Sequence, residues 1–210
     1  MLSALVFLEI NFLGYILSLF NNPFWGLLAY IHIYFNPPQE DINWWATYLI
    51  IDRWSLLTSV ILLLSLAIHW RKTTDYELRS VKWAFLFLLL SFVITLINSI
   101  HPEDAQHYTY LLFTYCIIVY IIIKCIKEVW QYRLFCLSII IMATNLSVKA
   151  FLYGKTRHAR LENIGTPDTF GANEFALLIT GIIPLTLPFI IHGKWYERII
   201  CLVSMPFLFN

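Results

Sequence analysis

The chain has 210 residues, 60% of them hydrophobic and only 13% charged, with a formal net charge of +1. Soluble domains carry roughly 45–50% apolar and about 25% charged residues, and a chain this small has too little interior to hide the excess. That balance excludes a soluble enzyme, a disordered tail and a nucleic-acid binder, and it leaves a polytopic α-helical membrane protein.

A membrane-spanning helix needs about 17–25 predominantly apolar residues. In chain order the candidate runs are 2–20, 47–70, 83–100, 108–126, 134–152, 175–192 and 196–209. Pro23 to Phe35 is apolar but too short for a relaxed span, and predicts a shorter helix, tilted or re-entrant. The runs are continuous and do not alternate, so a barrel is excluded. The expected fold is all-α: one transmembrane helical domain over 1–210, with seven or eight membrane segments and no sheet. The first run is a retained helix, not a cleaved signal. It lacks a basic flank and an A-x-A site, and Glu9 and Asn11 interrupt it. The last run ends at Phe209 and Asn210 without a polar flank. A natural terminus there would leave carbonyls and a carboxylate in lipid, so the chain is expected to be the N-terminal fragment of a longer protein.

Lys and Arg in the connecting loops set orientation. Segment 71–82 holds Arg71, Lys72, Arg79 and Lys82; 124–133 holds Lys124, Lys127 and Arg133; 192–198 holds Lys194 and Arg198. These three are placed in the cytoplasm. Segments 36–53, with only Arg53, and 101–107, with no Lys or Arg, are placed outside. The side of the N-terminus stays open, because it depends on whether Pro23 to Phe35 crosses. All eight tryptophans fall near predicted helix ends, as an aromatic belt requires.

Polar residues within the apolar runs are few. Glu9 and Asn11 are read as pairing with a neighbouring helix or lying near the interface, since an intramembrane carboxylate is costly. Asn98 and Asn145 are expected to bond across helices. His32 and His69 read as interfacial. His101, Glu103, Asp104 and His107 form a short outer cluster, read as solvated, so no metal is expected. Cys116, Cys125, Cys136 and Cys201 lie in apolar runs without a CxxC and read as small buried hydrophobes.

The loop 149–172 breaks the orientation rule. Alternation puts it outside, yet it carries Lys149, Lys155, Arg157 and Arg160. Basic residues on the disfavoured side point to a use, here the binding of an anion; a solvated loop with Glu162 and Asp168 as counter-charges is the plainer alternative. Gly165, Pro167, Asp168 and Gly171 punctuate the stretch that follows Arg160. Asn173 then stands where an N-cap would stand before an apolar helix. A helix N-terminus with free N–H groups beside Arg157 and Arg160 suits an anion, and Arg holds phosphate oxygens bidentately.

The stretch from Arg160 to Leu178, an Arg, a Gly-containing turn, then Asn before a small and apolar helix, resembles the motif of the O-antigen ligase and polymerase family. Residues 22–38, Asn22-Pro-Phe-Trp-Gly-Leu-Leu running to Asn36-Pro-Pro38, resemble an early segment of the exosortase-associated O-glycosylation ligase branch. Together the two cover about a sixth of the chain. The spacer between Arg160 and Asn173 is longer than in the family pattern. The resemblance implies a C-type helical membrane fold and a metal-independent glycosyltransferase without a cofactor. It would move a glycan from undecaprenyl diphosphate to a lipid A core sugar, a glycan repeat or a protein, on the periplasmic side of the bacterial inner membrane. It also implies substrate-binding roles for Arg160, Arg157, Lys155 and Asn173. The family's periplasmic loop with its candidate catalytic His is not found in these residues, so no catalytic residue is assigned and the chain alone is expected to be inactive. The rival reading is a transporter or a flippase for lipid-linked oligosaccharides.

Overall fold

The computed structural model describes residues 2–38, 43–51, 53–73, 79–98, 102–153, 155–157, 160–162 and 172–209. Among them are eight α-helices: α1 Leu2–Phe20, α2 Phe24–Phe35, α3 Trp54–Ile68, α4 Arg79–Asn98, α5 Pro102–Cys125, α6 Val129–Tyr153, α7 Ala172–His192 and α8 Trp195–Leu208. Short 3-10 turns occupy Trp44–Tyr48 and Trp70–Lys72. The chain divides into two compact units, Met1–His69 with Glu128–Asn210, and Trp70–Lys127.

The expectation of no sheet is corrected. Lys155–Arg157 (β1) and Arg160–Glu162 (β2) pair as an antiparallel ribbon. Strands of three residues are far short of the roughly 9–11 that cross a bilayer. The count of seven or eight membrane segments is corrected as well. Among the described residues three helices are long and apolar enough to cross: α1, Val129–Leu152 of α6, and α7. They mark the chain as a membrane protein.

The missing length has local causes. The run 47–70 loses its beginning to the 3-10 turn and the extended Leu49, and α3 starts only at Trp54 and has 15 residues. In α4 and α5 the apolar stretches among the described residues are Phe85–Thr95 and Thr109–Cys125. Helix α8 carries Glu197 and Arg198 in its first turn and has 14 residues. Helix α2 is a 12-residue helix, shorter than the spans, as its apolar length predicts.

The first unit is apolar both inside and out: Phe7, Phe24, Leu27 and Ile140 are fully buried, and polar side chains share that interior. Its buried faces carry Asn11, Ser18, Thr58, Ser65, Thr186 and Ser204, while Leu13, Ile16, Leu63, Leu177 and Val203 face outward. Lipid is as apolar as leucine, so no hydrophobic force drives helices together in a bilayer; small residues and internal hydrogen bonds do. Both devices hold α1, α2 and α3. A Cβ at Gly14 would stand 3.0 Å from the Ala29 Cβ, and one at Gly26 only 2.4 Å from the Ser18 Oγ. The missing side chains let the α1 and α2 backbones approach. Tyr15 Oη and Thr58 Oγ1 share a 2.6 Å hydrogen bond, and Ser65 Oγ donates to the Ser18 carbonyl at 2.5 Å. Phe7 seals the other end, against Trp45, Trp54 and the His32 ring.

The aromatic-belt reading is corrected in part. Trp70, Trp83, Trp130 and Trp195 are exposed near helix ends, but Trp45 and Trp54 are buried in this cluster. Asn145, expected to bond across helices, is exposed on α6; the side chain of Asn98 lies outside the described residues. All four cysteines are buried and free, as read.

The two ends of the first unit are distinguishable. At one end the Arg133 guanidinium grips both carboxylate oxygens of Glu197, joining the start of α6 to the start of α8. Phe24 and Trp25, at the start of α2, stack near Trp130 at that same end. The start of α6 and the start of α8 therefore lie together. Helix α2 leads from there to Asn36, which meets Lys149 near the opposite end of α6.

Candidate functional site

Lys149 belongs to α6, not to a loop as its position in 149–172 suggested. It lies one turn before the helix ends at Tyr153. Its ammonium donates to Asn36 Oδ1 at 2.8 Å and to Asn43 Oδ1 at 3.1 Å. Asn43 is oriented in turn by its own Nδ2, which donates to the Pro37 carbonyl at 2.7 Å. Asn36 caps α2, its N–H donating to the His32 carbonyl at 3.0 Å. The His32 ring, buried, meets Asn11 Nδ2 at 3.1 Å, and that same amide group donates to the Phe7 carbonyl at 2.7 Å. A continuous polar chain thus runs from α1 through α2 to the cation on α6. A half-buried ammonium is costly to desolvate, and the two asparagine oxygens offset that cost.

His32 is accordingly a buried partner rather than an interfacial residue, and Asn11 pairs with the neighbouring helix as expected. His69 is buried too, with Nδ1 at 3.1 Å from the Ser65 carbonyl.

The basic ribbon follows directly. Its register sets Lys155 opposite Glu162, Thr156 opposite Leu161 and Arg157 opposite Arg160. Strand residues alternate between faces, so positions 155, 157, 160 and 162 belong to one face. Directly opposed like charges destabilise a strand pair; an anion at the Arg157–Arg160 position would relieve that repulsion. The same register sets Lys155 opposite Glu162, the residue that the plainer reading took as a counter-charge. Strand β2 packs against α7.

Asn173 does not stand before its helix. Helix α7 begins at Ala172, so Asn173 is inside its first turn, and it is exposed. Glu174 already places a negative charge at that helix start. Gly165, Pro167, Asp168 and Gly171 lie outside the described residues. So does His101, while the cluster's Glu103, Asp104 and His107 belong to the first turns of α5 instead of a loop. Among the described residues no group of three or more His, Cys, Asp or Glu side chains is placed to hold a metal.

Sequence reasoning missed Asn36, Asn43 and His32 as partners of this site. The available signal was faint: a lysine at the end of an apolar run, and asparagines bracketing a Pro-Pro turn more than a hundred residues earlier. No family model, curated protein or solved structure matches this chain.

Proposed function

We propose that this chain binds the diphosphate of a lipid-linked glycan donor, as part of a multi-pass bacterial inner-membrane glycan ligase or polymerase. The supporting observation is the ribbon register, which sets Arg157 opposite Arg160 and follows in the chain, with Lys155, on Lys149 near the end of α6. A diphosphate offers several anionic oxygens to such a set, and two guanidinium forks match it better than a monovalent anion. The motif resemblance in residues 22–38 and 160–178 supplies the lipid-linked glycan and the acceptor classes: lipid A core, glycan repeat or protein.

The test is binding of glycan-loaded undecaprenyl diphosphate to the chain in nanodiscs. Arg160→Ala should weaken binding by roughly ten- to a hundredfold, the loss of about 1.5–3 kcal/mol from one charge-assisted contact. Arg160→Lys should restore only part, since a point charge does not replace a fork. Lys82→Ala serves as the control on the other unit. Equal affinity in the Arg160→Ala and Lys82→Ala variants would sink the proposal.

Orientation has its own check. With 71–82 cytoplasmic and 101–107 periplasmic, cysteines introduced as Ser80→Cys and Gln106→Cys should react with an impermeant maleimide from opposite sides. Labelling of both from one side breaks the topology.

A flippase reading is favoured by one feature, Pro184 and Pro188 inside α7. Each removes a helix N–H and frees the carbonyl four residues before it, as in the interrupted helices of transporters. Donor translocation across liposomes, with no transfer to an added acceptor, would select that reading.

A further inference from the structure

Helix α1 has 19 residues, a length of about 28 Å, and so nearly fills a hydrocarbon core about 30 Å thick. It has almost no room to slide. Glu9, two residues before the helix midpoint, is therefore held close to the middle of the bilayer. The side chain does not turn inward. Asn11, Gly14 and Ser18 mark the buried face of α1, whereas Glu9 is exposed about half a turn away, at the centre of the outward face. Carboxylates in membrane helices face the bundle interior or find a partner there, because lipid cannot solvate them.

Two further facts narrow what covers this carboxylate. It is the only charged residue in α1, so no neighbour one turn away can pair with it. Among the described residues the ion pair is Arg133 with Glu197, and Lys149 is held by Asn36 and Asn43. The outward face also has a seam: Leu2, Leu5, Glu9, Phe12, Ile16 and Leu19 follow alternating spacings of three and four. That is the pattern of a left-handed helix pair, in which one polar seam residue sets register and partner.

We propose that the Glu9 face of α1 is a docking surface for a membrane helix of another polypeptide that carries an Arg or Lys near its own midpoint. The apolar seam supplies packing and the carboxylate supplies selection. A second copy of this chain fits poorly, because two parallel seams would set Glu9 against Glu9, like charge on like charge.

The probe is a synthetic 19-residue leucine helix with one central Arg, compared with the all-leucine helix and with a central-Glu helix. Association with the full chain is read by energy transfer in liposomes of zwitterionic lipid. The Arg helix should bind about tenfold more tightly than the all-leucine helix. Glu9→Leu should erase that difference, and Glu9→Gln should keep only a small part of it. The double variant Glu9→Leu/Ile10→Glu retains the charge but turns it about 100° round the helix; it too should lose the preference. Because residues 9 and 10 both face outward, these variants leave the α1–α2–α3 packing in place, which intrinsic fluorescence of the buried Trp45 and Trp54 verifies. Equal binding of the Arg and all-leucine helices overturns the proposal. So does a preference that survives Glu9→Leu, or Glu9-dependent self-association of the chain stronger than its binding to the Arg helix.

Discussion

Glu197→Ala is expected to destabilise the first unit by about 3 kcal/mol, measured by unfolding in mixed micelles. Glu197 is 2% exposed and holds three groups at once. It accepts from Arg133 Nε at 2.9 Å and from the second guanidinium nitrogen, and from the Lys194 N–H at 2.6 Å. The last bond closes a capping box at the start of α8. Breaking a buried pair by removing one partner costs about 3–5 kcal/mol. Arg133 is 33% exposed and regains some water, which puts the loss at the low end. The pH dependence follows from the same geometry. Arg133, by its hydrogen bonds, and then the Lys194 N–H hold the Glu197 pKa below its ordinary value, against the opposing effect of burial. A depressed carboxylate stabilises the fold above its unfolded-state pKa, and that stability is lost as pH falls through the folded value. Stability should therefore be flat from neutrality down to about pH 5 and decline below it. Glu197→Gln should flatten the acidic limb. An unchanged acidic limb in that variant would falsify the assignment.

The fold was legible where apolar length alone decides it. Runs 2–20, 134–152 and 175–192 became α1, α6 and α7, and the shortness of α2 followed from the polar residues around 21–23 and 36–38. What stayed hidden was set by contacts between distant segments. Nothing near 47 in the sequence announces that Trp45 and Trp54 turn inward onto Phe7, so the start of α3 was placed too early. Arg133 and Glu197 are 64 residues apart, and loop charge said only that both lie at the same membrane side. The basic character of 149–160 was plain from composition. Its division into a helix-borne Lys149 and a paired ribbon was not, because three-residue strands carry too little alternation to read. Asn173 was misplaced by two residues at a helix boundary, the least determined feature of any such reading.

Phe7→Ala is expected to cost about 3 kcal/mol in the same unfolding measurement, and to loosen the polar chain that ends at Lys149. Phe7 is buried at the meeting point of α1, α2, α3 and the turn Trp44–Tyr48. Its ring centroid lies 4.9 Å from Trp45, and 5.4 Å from both Trp54 and His32. In water such a truncation costs about 3–5 kcal/mol, part transfer energy and part cavity. In a bilayer the transfer part shrinks, because lipid is as apolar as the site. The cavity remains, and so does the loss of aromatic contacts worth about 0.5–1.5 kcal/mol each. The consequence reaches the site by a short path. Phe7 packs the His32 ring that meets Asn11, and the His32 carbonyl receives the Asn36 N–H. Asn36 then holds the Lys149 ammonium. With the ring gone, His32 gains room to reorient and the cap of α2 loosens, so donor-lipid binding in nanodiscs should weaken together with stability. Phe7→Leu, which refills much of the volume, should recover most of both. A Phe7→Ala variant that unfolds like the parent chain would show that the aromatic cluster does not hold this end of the unit. A variant that loses stability but binds donor lipid as before would separate the cluster from the Lys149 site.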